Sequence, residues 1–168
     1  AVVTVGKISG GTRSNIIPEQ VELIGTLRSF SVEDRARIHA SVRRIASNVA
    51  EALGVTVEVQ IPHTASYPVT VNDPALTAQM VPVLEAITGP GRTILDPPNT
   101  GAEDFAFFAE KVPGFYIQLG GRPPHLSAAE AAPHHTPDFV IDDSGLGVGV
   151  RAMAAMALHY MAAHPTAR

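Results

Sequence analysis

Hydrophobic and polar positions follow two different periods in the first third of the chain. Residues 1–8 are rich in β-branched side chains and residues 21–30 alternate, so both segments predict strands. Residues 55–61 alternate cleanly between apolar and polar side chains and predict a third, half-buried strand. Between the second and third strands, apolar residues recur at spacings of three and four, which is typical of an amphipathic helix.

The predicted helix has a start signal and a stop signal. Ser31 suits the N-cap, with Asp34 three residues later, and Gly54 favours the C-terminal end. One predicted buried stripe contains Ile38, Val42, Ile45, Val49 and Leu53. The order β-β-α-β over residues 1–61 needs a preceding β-α unit to become a four-stranded sandwich of ferredoxin-like type, so we expect further sequence upstream.

The second part of the chain alternates predicted helices with loops. The first predicted elements are a helix from Asp73 and Pro74 to about Thr88, a short strand at 94–95 and a helix over 104–111. A buried strand over 115–119 and a final helix from Asp142 or Ser144 to about Ala163 follow. Pro82 should kink or break the first of these helices. Residues 120–137 are rich in Gly, Pro, Ala and His and predict a long loop, a kind of segment that is usually functional or mobile.

Composition narrows the class of protein. The chain has 168 residues, 45% of them hydrophobic and 17% charged, which is typical of a globular protein with a sizeable core. The net charge of −4 and the lack of a strong basic patch argue against a nucleic-acid partner. Cysteine is absent, which excludes disulfides and thiolate metal ligands within the chain. No charge-free apolar span of about 18 residues exists, so we expect no membrane partner and a cytoplasmic location.

Three of the seven histidines stand out because they lie in or beside the long loop. These are His125, His134 and His135, and loops carry function more often than helices and strands do. His134 and His135 are adjacent, so in an extended segment their side chains point in opposite directions and at most one would bind a given metal ion. The other histidines are better explained as solvated or core-edge side chains.

Three further polar sites have both a structural and a functional explanation. Glu103 and Asp104 open a predicted helix, where capping of free N–H groups is favoured over acid–base catalysis. Arg28 in the second strand is either an exposed sheet residue or a ligand for a carboxylate. Asn15 suits a turn that is closed by its own side chain. Neither a Gly-x-Ser-x-Gly elbow nor an HExxH helix is present, so these residues alone do not define a reaction.

Several segments together resemble a known group of enzymes. They are Ala1-Val2-Val3-Thr4-Val5-Gly6-Lys7-Ile8, Gly10-Gly11, Asn15-Ile16-Ile17-Pro18, Gly25-Thr26-Leu27-Arg28-Ser29-Phe30, Val71-Asn72-Asp73-Pro74, Gly101-Ala102-Glu103-Asp104-Phe105 and His135-Thr136-Pro137-Asp138-Phe139. In this order they resemble the metal-dependent aminoacylase, hippurate hydrolase and indoleacetyl-amino-acid hydrolase group of the carboxypeptidase G-like metallopeptidase family. Each segment is a weak signal, whereas the ordered set is a strong one.

The resemblance implies a fold of class α/β with an α+β lid. Residues 1–63 would be the second part of a partial ferredoxin-like lid, or dimerisation, domain. Residues 64–168 would be the C-terminal part of an α/β di-metal exopeptidase catalytic domain. The chain would then be a C-terminal fragment that forms a homodimer through the lid.

The resemblance also implies roles for five residues. His135 matches the last metal ligand of a site for two divalent ions, which could be Zn, Co, Ni or Mn, although His134 stands where the family usually has an apolar residue. Arg28 would hold the carboxylate of the substrate, and Asn15 would reach substrate, often in the site of a partner subunit. Gly101 and Glu103 match a loop that lines the substrate pocket. The remaining ligands and the catalytic glutamate match no segment here, so no catalytic residue is expected in this chain.

The function implied is hydrolysis of the amide bond of N-acyl amino acids or small peptides by a metal-dependent amidohydrolase. Because a single histidine cannot form a catalytic metal site, we expect the chain alone to be inactive and to bind metal weakly. Two alternatives remain open. One is a non-catalytic dimerisation or ligand-binding module, and the other is a free-standing ferredoxin-like sensor joined to a helical tail.

Overall fold

The computed structural model describes residues 1–64 and 66–165, and the chain divides into two compact units. The first unit contains Ala1–Thr70 and Pro98–Phe107, and the second contains Val71–Pro97 and the residues from Phe108 onward. The architecture is mixed helix and strand, as the sequence predicts. The assignment of residues 1–63 to a lid and of 64–168 to a catalytic domain stays a prediction.

The first unit is built on an antiparallel hairpin, which confirms the first two predicted strands. Strand β1 is Val2–Gly10 and strand β2 is Val21–Arg28. Val2 pairs with Arg28 at one end of the hairpin, and Gly10 pairs with Val21 at the other end, next to the connection. The register shifts between Val5 and Lys7, which leaves Gly6 as the extra residue of a bulge.

Gly25 in β2 lies unusually close to the backbone of β1. A Cβ atom placed on Gly25 would lie 2.2 Å from the carbonyl oxygen of Thr4, far inside van der Waals contact. A Cβ atom on Gly6, in the bulge of the same hairpin, would meet nothing within 4 Å. The hairpin therefore needs glycine at position 25 for steric reasons, whereas position 6 has open space.

Helix α1, Val32–Ala52, confirms the predicted start and stop signals. The Oγ atom of Ser31 accepts a hydrogen bond from the Asp34 amide at 2.9 Å, which satisfies one of the free N–H groups of the first turn. Gly54 has φ +68°, the left-handed conformation that ends many helices. Two arginines on α1 then hold the following segment, because Arg35 donates to Ser66 and Tyr67 and Arg43 donates to the carbonyl of Ile61.

Two predictions for this unit are wrong. Within the described residues, 55–60 do not join a ladder, so the predicted third strand and the β-β-α-β order are not formed. The predicted buried stripe of α1 is also largely exposed, with Ile45 and Val49 at 53% and Leu53 at 72% of full exposure. Both errors have one cause: strand pairing and helix burial need a neighbouring layer, and the described residues of this unit offer the two-stranded hairpin alone.

The second unit is a pair of helices with irregular segments around them. Helix α2 is Pro74–Thr88, and its N-cap Asp73 accepts a hydrogen bond from the Leu76 amide at 2.7 Å. Helix α3, Phe105–Ala109, spans the boundary between the stretches assigned to the two units, and a single 3₁₀ turn, Asp143–Gly145, precedes helix α4, Leu146–Ala163. Met80 and Leu84 of α2 and Ala152 of α4 are buried where these two helices pack together.

The helices of the second part were predicted well and its short strands were not. Pro82 lies inside α2 without interrupting it, so the expected break is absent. Within the described residues, neither 94–95 nor 115–119 forms a strand. Leu119 of the second segment contacts α4, because a Cβ atom on Gly149 would lie 2.9 Å from the Leu119 Cδ2 atom, yet Leu119 remains partly exposed.

A side-chain amide joins the start of α2 to the segment before residue 117. Asn72 donates from Nδ2 to the Tyr116 carbonyl at 2.9 Å and accepts on Oδ1 from the Tyr116 amide at 2.7 Å. The Asp73 amide also donates to the Gly114 carbonyl at 2.8 Å. The Asn72 side chain thus satisfies the backbone N–H and carbonyl groups of Tyr116, which a neighbouring strand could otherwise pair.

The segment Asp143–Ala163 is long and apolar enough to cross a membrane by length and composition, and 11% of it is buried within the described part of the chain. This single helix is weak support for a membrane span, since core helices of globular proteins pass the same test. It also carries Arg151 within its length. The expectation of no membrane partner therefore stays a prediction.

We predict that Gly25→Ala destabilises the hairpin and that Gly6→Ala does not. The added methyl group of Gly25→Ala must displace the Thr4 carbonyl, which should lower the free energy of unfolding by about 1–3 kcal/mol. For Gly6→Ala we expect a change below about 1 kcal/mol. Urea denaturation followed through NMR signals of β1 and β2 measures both, and equal effects of the two variants would contradict the proposed close approach.

We also predict that Asn72→Ala destabilises the second unit. The variant removes both hydrogen bonds to Tyr116, each worth about 1 kcal/mol, so the free energy of unfolding should fall by about 2–3 kcal/mol. Asn48→Ala, on the exposed surface of α1, is the matched control and should change it by no more than about 0.5 kcal/mol. Urea denaturation followed through NMR signals of α2 makes the comparison.

Candidate functional site

Arg28 connects the end of β2 to the loop that contains Gly101 and Glu103. Its Nη1 atom donates a hydrogen bond to the carbonyl of Thr100 at 2.5 Å, across 72 residues of sequence. All of these residues belong to the first unit, because Pro98–Phe107 is part of it. Three of the five predicted site residues, Arg28, Gly101 and Glu103, are thereby brought to one end of the hairpin.

The loop around Gly101 is shaped by two side chains. Asn99 accepts a hydrogen bond on Oδ1 from the Gly101 amide at 3.0 Å, which forms a turn closed by the asparagine. Glu103 accepts on Oε1 from the Phe105 amide at 3.2 Å, at the start of α3. The capping contact that the sequence favours for Glu103 is therefore present, and its role as a pocket residue stays a prediction.

Asn15 lies away from this group. It belongs to the connection between β1 and β2, at the end of the hairpin where Gly10 pairs with Val21, whereas Arg28 pairs with Val2 at the other end. The length of β2 separates the two ends by about 23 Å at roughly 3.3 Å per residue. The connection also forms an open cleft of about 470 Å³. Its lining residues are Gly11, Thr12, Ile16, Ile17, Pro18, Glu19 and Gln20.

His134 and His135 lie in the second unit and differ in backbone and surroundings. His135 has φ +65°, in the left-handed region that few residues other than glycine adopt, although histidine does so more often than most. The premise of an extended segment is therefore wrong at this position. The two rings are 6.4 Å apart between centroids, and the ring of His134 lies 4.5 Å from that of Phe139. His134 is thus engaged with an aromatic neighbour.

The long loop around these histidines is held by local hydrogen bonds. The Asp142 amide donates to the Gly121 carbonyl at 2.8 Å, which joins the end of the loop to its beginning. Hydrogen bonds from the side chain and backbone of Ser144 lower the pKa of the Asp142 carboxyl, and the charge of His125 contributes less. Asp142 is therefore ionised near neutral pH and serves the turn before α4.

A divalent metal ion would need more ligands than these residues supply. Catalytic zinc normally binds three protein side chains and leaves one position open. In residues 1–64 and 66–165, no three His, Asp or Glu side chains lie together in a group that could hold an ion. The donors present in the described part of this chain therefore do not form a complete metal site, and the metal role of His135 stays a prediction.

Sequence reasoning missed Asn99 and Thr100, which shape the loop beside Arg28. The spacing of Asn99 two residues before Gly101 is a turn signal that could have identified the asparagine. Thr100 takes part through its carbonyl group, which every residue possesses, so no sequence signal could have identified it.

Comparison with known proteins gives a consistent family. Residues 3–159 match the family model described as Peptidase family M20/M25/M40. The relatives include thermostable carboxypeptidase 2 of Saccharolobus solfataricus, which is 34% identical over 160 residues, 95% of this chain and 39% of that protein. The N-acetylcysteine deacetylase of Bacillus subtilis is 31% identical over 160 residues, 94% of this chain and 39% of that protein.

Another relative and one crystal structure extend the comparison. The IAA-amino acid hydrolase ILR1-like 6 of Arabidopsis thaliana is 33% identical over 165 residues, 95% of this chain and 34% of that protein. The fold is similar to that of the Bacillus subtilis YXEP protein, described as a dinuclear metal binding peptidase, with a TM-score of 0.74 and 28% identity. That match covers 95% of this chain and 42% of the other, so the chain spans about two fifths of the length of such relatives.

These findings confirm the resemblance inferred from the ordered motifs. They support hydrolase and metallopeptidase chemistry for the family as a whole, and the structural neighbour is described as a dinuclear metal binding peptidase. Because the family model spans residues 3–159, the chain belongs to Peptidase family M20/M25/M40.

Proposed function

We propose that this chain is the C-terminal portion of a metal-dependent amidohydrolase that cleaves the amide bond of N-acyl amino acids or small peptides. The observation that carries the proposal is the hydrogen bond from Arg28 to Thr100, which joins the expected carboxylate ligand to the Gly101–Glu103 loop. The names of the relatives, which include a carboxypeptidase, a deacetylase and an amino acid hydrolase, support the same substrate class.

Arg28 is proposed to recognise the carboxylate of the substrate. Its guanidinium has five N–H donors, of which the structure uses one on the Thr100 carbonyl. Among the described residues no carboxylate is paired with it, and its side chain is exposed. A planar fork of this kind binds a carboxylate through two parallel hydrogen bonds, which a lysine cannot reproduce.

Gly101 and Glu103 are proposed to line the pocket beside Arg28. Asn15 is not proposed to share a substrate with Arg28 of the same chain. The two residues lie at opposite ends of β2, and this strand is longer than one N-acyl amino acid. We assign Asn15 to the site of a second subunit in a homodimer formed through the lid. This assignment agrees with the exposed position of Asn15 in the hairpin connection.

His135 is the residue of this chain that we propose as a metal ligand. When bound, a divalent ion supplies Lewis acidity toward an amide carbonyl and makes water a stronger nucleophile. The left-handed backbone of His135 supports a functional role, because residues held in sparsely populated conformations cluster at functional sites. The contact of His134 with Phe139 supports the choice of His135 over its neighbour. We assign no catalytic step to this chain, and Zn, Co, Ni and Mn remain the candidate ions.

The domain assignment is part of the proposal. Residues 1–63 would belong to a lid of ferredoxin-like type, although the third strand expected over 55–61 is not formed in the described residues, and residues 64–168 would belong to the catalytic domain. The exposed apolar face of the hairpin, which includes Val3, Ile8 and Leu23, supports coverage by a further layer. The cytoplasmic location and the absence of nucleic-acid and membrane partners are kept as expectations.

A non-catalytic dimerisation or ligand-binding module is the second candidate. The lack of a three-ligand cluster within the described residues favours it over catalysis by this chain alone. A free-standing sensor explains neither the Arg28 contact nor the family match. The upstream reading frame discriminates these candidates, because a His-x-Asp segment and a Glu-Glu pair there would favour the enzyme.

We predict that the purified 168-residue chain hydrolyses N-acetyl amino acids at a negligible rate with Zn²⁺, Co²⁺, Ni²⁺ or Mn²⁺. The physical reason is that its described residues do not gather three metal ligands, so no ion is held with an open position. The assay measures release of free amino acid, with a complete relative as positive control. Metal-dependent turnover at the rate of that relative would refute the prediction.

We further predict that His135→Asn abolishes the weak metal binding of the chain and that His134→Asn preserves it. Asparagine tolerates a positive φ, so His135→Asn leaves the backbone conformation accessible. Broadening of NMR signals from residues 133–139 on addition of Co²⁺ reports binding near these side chains. Loss of broadening in His134→Asn, with retention in His135→Asn, would transfer the ligand role to His134.

A further inference from the structure

We propose that Asn99 is a positioning residue that sets the backbone of the Gly101–Glu103 loop before a substrate arrives. The part of this inference that concerns substrate rests on the proposed function, whereas the part that concerns the loop does not. Asn99 lies outside the motif Gly101-Ala102-Glu103-Asp104-Phe105, and nothing in that motif specifies it.

The hydrogen bond from the Gly101 amide to Asn99 is the first observation. Its length of 3.0 Å is that of an ordinary N–H···O hydrogen bond, and it fixes the direction of the chain at Gly101. A Cβ atom on Gly101 would lie 3.0 Å from the same Oδ1 atom, so the asparagine side chain sits tightly against this position. The local geometry thus depends on an oxygen at position 99 and on the small size of Gly101.

Two further contacts hold the loop within the first unit. On one side, Arg28 donates to the carbonyl of Thr100, the residue between Asn99 and Gly101. On the other side, the ring of Phe107 lies 5.7 Å from that of Tyr67, in a tilted arrangement favourable for aromatic pairs. Asn99 therefore shapes a loop that the Arg28 hydrogen bond and the Tyr67–Phe107 ring contact already hold in place.

This arrangement links Arg28, the proposed binder of the substrate carboxylate, to the Gly101–Glu103 loop. The guanidinium of Arg28 can bind a carboxylate only from the position that its bond to Thr100 allows, and Asn99 stabilises the conformation in which that carbonyl points toward it. Loss of the Asn99 oxygen should loosen the loop and weaken carboxylate binding without removing any group that touches the substrate. A loop that is ordered in advance loses less conformational entropy on binding.

The test compares Asn99→Ala, Asn99→Asp and Asn48→Ala in the 168-residue chain. Asn99→Ala removes the acceptor, Asn99→Asp retains an oxygen at the same reach, and Asn48→Ala changes an exposed asparagine of α1. Amide hydrogen exchange at Gly101, measured by NMR with α2 amides as internal reference, should accelerate about fivefold in Asn99→Ala, as expected for loss of one hydrogen bond. Asn99→Asp and Asn48→Ala should stay within about twofold of the parent chain.

A second measurement separates this inference from the proposed function. Titration with N-acetyl-L-alanine, followed through the Gly101 and Glu103 amide signals, should show binding that N-acetyl-L-alaninamide lacks. The dissociation constant should rise about fivefold in Asn99→Ala and stay within about twofold of the parent chain in Asn48→Ala. Unchanged Gly101 exchange in Asn99→Ala, or equally fast exchange in Asn99→Asp, would overturn the role of Asn99. Normal exchange effects with no binding by the parent chain would instead reject the proposed carboxylate site.

Discussion

An amphipathic helix or strand can bury its apolar side chains only against a second layer of structure, and this constraint governs both units. Where two elements meet, as α2 and α4 do, Met80 and Leu84 become buried. Where the second layer is lacking within the described residues, apolar side chains face solvent, as Val150 of α4 does at 71% exposure. Exposed apolar surface of this extent is typical of surfaces that other structure covers.

The same constraint explains which elements could be predicted from the sequence. Helix α1 was predicted from its cap at Ser31 and its stop at Gly54, since both signals act over a few residues. The strand expected over 55–61 failed because a strand depends on a partner elsewhere in the chain. The spacing of apolar residues predicts which side chains could be buried. It does not predict which other element covers them.

The candidate site could be predicted only in part for a similar reason. The resemblance pointed to Arg28 and Glu103 by their motifs, and their roles toward substrate stay predictions. The capping contact of Glu103 follows from its place before α3. The hydrogen bond from Arg28 to the Thr100 carbonyl joins positions that are far apart in sequence. Because its acceptor is a backbone oxygen, neither composition nor residue spacing could predict it. The left-handed backbone of His135 was equally hidden, because histidine is compatible with several conformations.

The amide of Asn72 recognises backbone atoms, and this gives the two sides of the contact unequal freedom to evolve. Position 116 contributes an N–H and a carbonyl, which any residue except proline supplies, so the contact places almost no restriction on its side chain. Position 72 must offer a donor and an acceptor at a fixed short reach, which asparagine does and aspartate does not. This contact therefore restricts the side chain at position 72 and leaves the side chain at position 116 to its other interactions.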